Sequence, residues 1–132
     1  MPWTVTYVPE FEDWLQAQSD EFREDLMAYV IALQDQGPQL GRPHCDTLEG
    51  SRFANMKELR VQHSGMPYRV LFAFDRSRRA VLLFGGNKRG DSRWYEKSIP
   101  IADALFEKWQ KTLSKPTKKS AKLSRDRKKR GR

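Results

Sequence analysis

Arg60 and Arg69 are the residues of this chain whose types and spacing point most directly to chemistry. They lie in two strand-like runs, Met56–Gln62 and Pro67–Asp75, separated by His63–Met66. If those four residues form the loop of an antiparallel hairpin, Gln62 opposes Pro67 and Arg60 opposes Arg69. Like charges placed directly across a sheet repel, so the pairing makes sense if an anion sits between the two guanidinium groups. A phosphodiester is such an anion, and arginine forks match its oxygens. The reading depends on register, because a slip of one residue sends the two to opposite faces. The alternative is that one arginine pairs with Glu58 or Asp75. Arg69 stands in YRVLFAF, a nearly continuous apolar run, where a charged side chain is rarely buried without a partner.

Other cations accompany the pair. Lys57 and Arg52 lie just upstream, and Arg52 reads as an ordinary surface charge. Lys88 directly follows a third strand-like run, Ala80–Gly86, and could reach over the sheet end; Arg89 and Arg93 come next. Together with Lys57 they make a candidate RNA-binding surface. The Gly85–Asp91 segment, GGNKRGD, permits close backbone approach to a ligand. It has neither Walker A nor dinucleotide-fingerprint spacing. Tyr95 offers a phenol for proton transfer or base stacking, and Trp94 a ring for stacking. Both could instead be packing residues ahead of the last helix. No HExxH or Cys/His ligand spacing occurs around His44 and His63, and no serine-triad signature is present.

These residues need a scaffold. Trp3–Val8 alternates and is rich in β-branched and aromatic residues, which predicts a first strand. Glu10–Gln18 predicts a short helix with Phe11, Trp14 and Leu15 on one face. Ser19 is placed as an N-cap before Asp20 and Glu21, and Phe22, Leu26, Tyr29, Val30 and Leu33 recur at helical spacing. Gly37–Pro38 stops that helix, and 37–51 reads as a loop. After the three strands, Pro100 marks a helix start for Ile101–Leu113. The fold class is therefore α+β: strand, two helices, three antiparallel strands, helix. The expectation is a small antiparallel-rich sheet with helices packed on one face, leaving the other for a site.

The chain has 132 residues and a net charge of +8, unevenly spread. Residues 115–132 carry +9, while residues 1–36 carry −7 and residues 37–114 carry +6. The expected division is one domain over residues 1–114 and a disordered basic tail over 115–132. An acidic half beside a basic half often marks interaction faces. Cys45 is the single cysteine, so no internal disulfide can form and a reducing compartment is expected. The start, MPWTVTY, lacks signal-peptide character, and no apolar run reaches the roughly 20 residues of a membrane span. A cytoplasmic protein without membrane association is the expectation.

The block ELR, then YRVLFAF, then VLLFGGNKRGD, followed by IPIADALFEKW, resembles the RelE/ParE toxin superfamily. It looks most like the HigB-like, phage-derived branch of type II toxin–antitoxin systems. The likeness spans about 3–113 and is most specific over 56–106. Its carriers are Leu59–Arg60, Tyr68–Arg69, the strand ending near Lys88, and the helix start at Ile101–Ala102. The resemblance implies a RelE-like fold and a metal-independent endoribonuclease, without cofactor, that cuts mRNA on the ribosome. In such enzymes the ribose 2′-hydroxyl attacks the adjacent phosphate, giving a cyclic phosphate and a 5′-hydroxyl. The resemblance assigns Arg60 and Arg69 to phosphate and transition-state stabilisation, and Lys88 to the same task or to acid/base work. Tyr95 takes proton transfer or stacking. It implies a cognate antitoxin in a hetero-oligomer, contacting either the basic cleft or the acidic first two helices. Some superfamily members use histidines near the C-terminus, and none follows His63 here. ParE-like relatives inhibit DNA gyrase without nuclease activity, and a non-catalytic nucleic-acid-binding module is a third reading. The tail could hold ribosomal RNA through counterion release or remain a solvated terminus.

Overall fold

The computed structural model describes residues 2–114; the expected basic tail lies outside them. Strand β1, Thr4–Tyr7, leads through Val8 into helix α1, Pro9–Gln16. Pro9 opens that helix because its missing N–H is one that a first turn leaves unbonded in any case. Helix α2, Asp20–Gln36, begins at Ser19, whose hydroxyl accepts the Phe22 amide at 3.0 Å. Its end at Gly37 (φ +59°) requires glycine twice over. The backbone is left-handed there, and a Cβ would sit 2.3 Å from the Trp3 indole.

The presumed loop of 37–51 holds a 3-10 turn, Gly37–Gln39, and a short strand β2, Cys45–Thr47. Three residues are too few to show alternation, which is why the sequence does not announce this strand. Strands β3 (Met56–His63), β4 (Met66–Phe74) and β5 (Arg79–Asn87) follow. The five strands form one sheet in the order β1-β5-β4-β3-β2, antiparallel except for the parallel β1–β5 pair. The β3–β4 hairpin closes through Ser64 and Gly65, both at positive φ (53° and 75°). That two-residue turn matches the twist of the strands. His63 therefore pairs with Met66, one step tighter than a four-residue loop, yet Gln62 still opposes Pro67 and Arg60 opposes Arg69.

Helix α3 runs from Trp94 to Ser114 and contains Pro100. The sequence expectation of a start at Pro100 is corrected: Trp94, Ser98, Ile99 and Ala102 are buried on one continuous helical face. Proline here merely leaves the Glu96 carbonyl without an amide partner one turn on. The α+β class and antiparallel-rich sheet are as expected, but the helices divide between the faces. Gly85 and Gly86 make the division visible, since successive strand positions point to opposite sides. A Cβ on Gly85 would meet Trp14 of α1 at 2.5 Å, and one on Gly86 would meet Trp94 of α3 at 2.9 Å. These glycines thus seat two tryptophans within β5 and do not form a ligand loop. The core gathers Phe11, Phe22, Leu33, Leu59, Val61, Phe72 and Phe106. Among the described residues, no helix is long and apolar enough to cross a membrane.

Candidate active site

Strand alternation puts Glu58 and Arg60 on the same face of β3. Leu71 is the cross-strand partner of Glu58, so Arg69, two residues earlier on β4, is its diagonal neighbour within side-chain reach. The first turn of α3 crosses this face and brings in Tyr95. Its hydroxyl donates to Glu58 Oε1 at 2.6 Å and accepts from Arg69 Nε at 3.2 Å. Arg69 Nε also lies 3.5 Å from Glu58 Oε1, and the Arg69 Nη1 donates to the Tyr68 carbonyl at 3.0 Å. On the other carboxylate oxygen, Arg60 Nη1 stands 3.3 Å from Glu58 Oε2.

The anion between the two arginines is thus the protein's own carboxylate. The Glu58 and Arg69 side chains are 5% and 7% exposed, while Arg60 is 35% exposed. Burial of this kind is costly unless the charges are bonded, and here Arg69 is bonded through both Nε and Nη1. Arg60 keeps an open side toward solvent, steadied by Asp46 Oδ2 at 4.0 Å. Lys88 follows β5, its amide held by the Pro67 carbonyl at 3.1 Å. Its ammonium lies 5.8 Å from the centre of the Tyr95 ring. Burial raises the Tyr95 phenol above its ordinary range; the Glu58 carboxylate raises it further, and Arg69 only partly opposes. Tyr95 therefore stays protonated at neutral pH. The face holds a proton acceptor, a proton donor and two accessible cations within one cluster, which is the inventory for acid/base chemistry at a phosphate.

A model of the family described as phage derived protein Gp49-like (DUF891) matches residues 13–107. Over 106 residues the chain is 43% identical to a Mycobacterium tuberculosis (strain H37Rv) protein named "Putative toxin HigB3", covering 80% of this chain and 91% of that protein. A second protein of that organism, named "Putative toxin HigB2", is 42% identical over 106 residues, covering 79% of this chain and about half, 52%, of the relative. This chain belongs to the Gp49-like family, the phage-derived HigB-like branch of the toxins.

In this Gp49-like chain the other sequence-expected site residues stand apart from Glu58. Lys57 projects from the opposite face of β3 and bonds Thr47 Oγ1 at 3.2 Å. Arg89 is exposed, its guanidinium against Met66 Sδ at 3.3 Å. Arg93 is exposed and paired with Glu96 at 3.1 Å. Trp94 is buried against Gly86 and Phe84, so its ring is packing and not a stacking platform. His63, placed by sequence in the hairpin loop, ends β3 instead, bound to Asp25 at 2.6 Å and packed edge-on to Phe22. Cys45 is buried, its thiol pushed up to about 11 chiefly by that burial, which keeps it an unreactive thiol. Glu58 is the functional candidate that sequence reasoning passed over, treating it only as a pairing partner. Its signal was present: an acid two residues from Arg60, on the same face of the strand.

Proposed function

We propose that this chain is the toxin of a type II toxin–antitoxin system and acts as a metal-independent endoribonuclease on mRNA at the ribosome. The observation that carries the reading is the Glu58 carboxylate, buried between Arg69 and Tyr95, with Arg60 open beside it. RNA brings its own nucleophile, so the protein has only to move protons and stabilise charge. Arg60 and Lys88 hold the non-bridging oxygens of the scissile phosphate. Glu58 takes the 2′-hydroxyl proton on Oε2, the oxygen facing Arg60, as the 2′-oxygen bonds to phosphorus. Charge grows on the phosphorane oxygens, where the two cations stabilise it. The bond from phosphorus to the 5′-oxygen then breaks, and Tyr95 gives its proton to that oxygen. A 2′,3′-cyclic phosphate and a 5′-hydroxyl result. Exchange with solvent then removes the proton from Glu58 Oε2 and reprotonates the Tyr95 oxygen, which restores both groups without a redox partner. Arg69 is a positioning residue, holding both Tyr95 and Glu58.

The test is controlled induction in bacterial cells, with growth followed and the 5′ ends of translated messages mapped by primer extension. New cuts inside coding regions, absent with Arg60→Ala, are the expected result. Growth arrest with intact messages would overturn the nuclease and direct attention to gyrase. No arrest at all would leave a nucleic-acid-binding module. A cognate antitoxin completes the system as a hetero-oligomer.

A further inference from the structure

The phenol placed at the leaving oxygen also borders a cleft that the chemistry above does not use. It opens between the loop after β2 and the first two turns of α3, with a volume of about 340 Å³. Its lining is Glu49, Gly50, Tyr95, Glu96, Ile99 and Pro100. That volume falls among small-ligand sites, roughly 300–1,000 Å³. An aromatic ring beside an isoleucine and a proline suits a flat, largely apolar guest such as a nucleobase.

The loop wall of the cleft is fastened to α3. Asp103, buried on the helix, accepts the Ser51 hydroxyl at 2.5 Å and the Arg52 amide at 3.1 Å. Ser51 Oγ in turn accepts the Phe53 amide at 3.0 Å, and the Phe53 ring packs edge-on to Phe106. Arg52 pairs with Glu107 one helical turn beyond Asp103. The segment that carries Glu49 and Gly50 is thus held in place before any ligand arrives.

The two carboxylates of the cleft differ. Glu96 is engaged by Arg93 through both oxygens, at 3.1 and 3.2 Å. Glu49 is exposed and has no ion pair among the described residues. A free carboxylate in a cleft that shares Tyr95 with a phosphate site repels the RNA backbone. It fits RNA there only where a hydrogen-bond donor of a base stands against it.

We propose that this cleft receives the base of the nucleoside whose 5′-oxygen leaves, and that Glu49 selects a base carrying an amino group. The proposal rests on the nuclease reading above. The leaving oxygen is bonded to C5′ of that nucleoside, so the nucleoside is tethered at Tyr95, beside the mouth of the cleft. An ionised carboxylate accepts hydrogen bonds and donates none. Guanine offers N1–H and its 2-amino group side by side, one for each carboxylate oxygen. Adenine and cytosine offer one amino group each. Uracil offers a single N–H between two carbonyl oxygens, which a carboxylate repels. The order of preference is therefore guanine, then adenine and cytosine, then uracil.

The test uses the full chain in the induction experiment, because the first base of each new 5′-hydroxyl end is the base that occupied the cleft. With wild type, ends that begin with guanine should outnumber those that begin with uracil by about ten-fold after correction for base frequency. Glu49→Gln, whose amide donates as well as accepts, should bring that ratio close to parity, and Glu49→Ala should do the same. Glu49 is exposed, and circular dichroism checks that both variants fold. Arg60→Ala should instead remove cuts before every base alike. Cuts by wild type with no preference at the first base would overturn the subsite and leave the nuclease standing. So would a preference that both Glu49 variants leave unchanged. Growth arrest without cuts would overturn the nuclease reading and the subsite together.

Discussion

The Tyr95 hydroxyl and the Glu58 carboxylate meet at 2.6 Å, although 37 positions separate them in the chain. The contact joins the first turn of α3 to the middle of β3, over the sheet face that also presents Arg60 and Arg69. Two guanidinium groups flank the carboxylate, Arg60 on Oε2 and Arg69 beside Oε1, so an acceptor and a donor stand in contact within one cluster.

Tyr95→Phe removes one hydroxyl and little volume. Cleavage is expected to fall about 10²–10⁴-fold, with the loss in kcat and not in KM, because the phenol is asked to act only as the 5′-oxygen leaves. Glu58→Gln should show a loss of similar size. Single-turnover cleavage of a short RNA measures both. A Tyr95→Phe enzyme with wild-type kcat would remove the phenol from the chemistry and leave it a structural clamp.

Arg60 and Arg69 should separate by what fails. Arg69 is buried, and Arg69→Ala strands the Glu58 charge, a loss of about 3–5 kcal/mol for a broken buried pair. Chemical denaturation should show that drop directly. Arg60 is one-third open to solvent, so Arg60→Ala should leave the denaturation midpoint nearly unmoved. Its cleavage should still fall about 10²–10³-fold, the scale of one lost transition-state donor. If Arg60→Ala is as unstable as Arg69→Ala, Arg60 is part of the frame and not of the site.

The arginine pair was readable because the register has a local cause. A tight turn at Ser64–Gly65 sets the pairing that places Arg60 against Arg69. Ser19 was readable for the same reason, being a cap with its acids beside it. What stayed hidden was non-local. The parallel pairing of β1 with β5 joins Thr4 to Arg79 across the whole chain, and nothing near either residue signals it. The role of Glu58 needed Tyr95 overhead, which needed α3 to begin at Trp94 and not at Pro100. The burial of Trp94 needed Gly86 beneath it, so the glycines looked like a ligand loop until their neighbours were in place.

Asp75 gives a pH signature of the fold itself. Burial pushes its carboxyl upward. Four donors reverse the balance: the Trp109 indole at 2.9 Å, Arg79 Nε at 3.0 Å, and the amides of Arg79 at 3.0 Å and Ser77 at 2.8 Å. The net pKa is lowered. A carboxylate whose folded pKa is depressed stabilises the fold above its unfolded value, about 3.9, and loses that stabilisation as pH falls through the folded value. Asp75→Asn should therefore cost about 1.5–3 kcal/mol at pH near 7 and progressively less as the pH is taken below about 3.9. Urea melts across that range measure the difference. A cost that does not shrink in acid would mean that packing around Trp109, and not the charge, carries it.

Gly85 and Gly86 tie the fold to the chemistry, and their alanine variants should part ways. Gly85→Ala drives a methyl toward the Trp14 ring of α1, on the face away from Glu58. Overpacking of that kind costs about 1–3 kcal/mol, and Trp14→Leu in the same chain should recover part of it. Gly86→Ala drives its methyl toward Trp94, whose ring centre lies 5.2 Å from that of Tyr95. Displacing Trp94 shifts the turn that aims the Tyr95 hydroxyl at Glu58. Gly86→Ala is thus expected to lose cleavage in the folded fraction, at temperatures well below its melting point, where Gly85→Ala retains it. Thermal melts paired with single-turnover rates make the comparison. Equal rates per folded molecule in the two variants would show that the position of Trp94 does not govern the Tyr95–Glu58 contact.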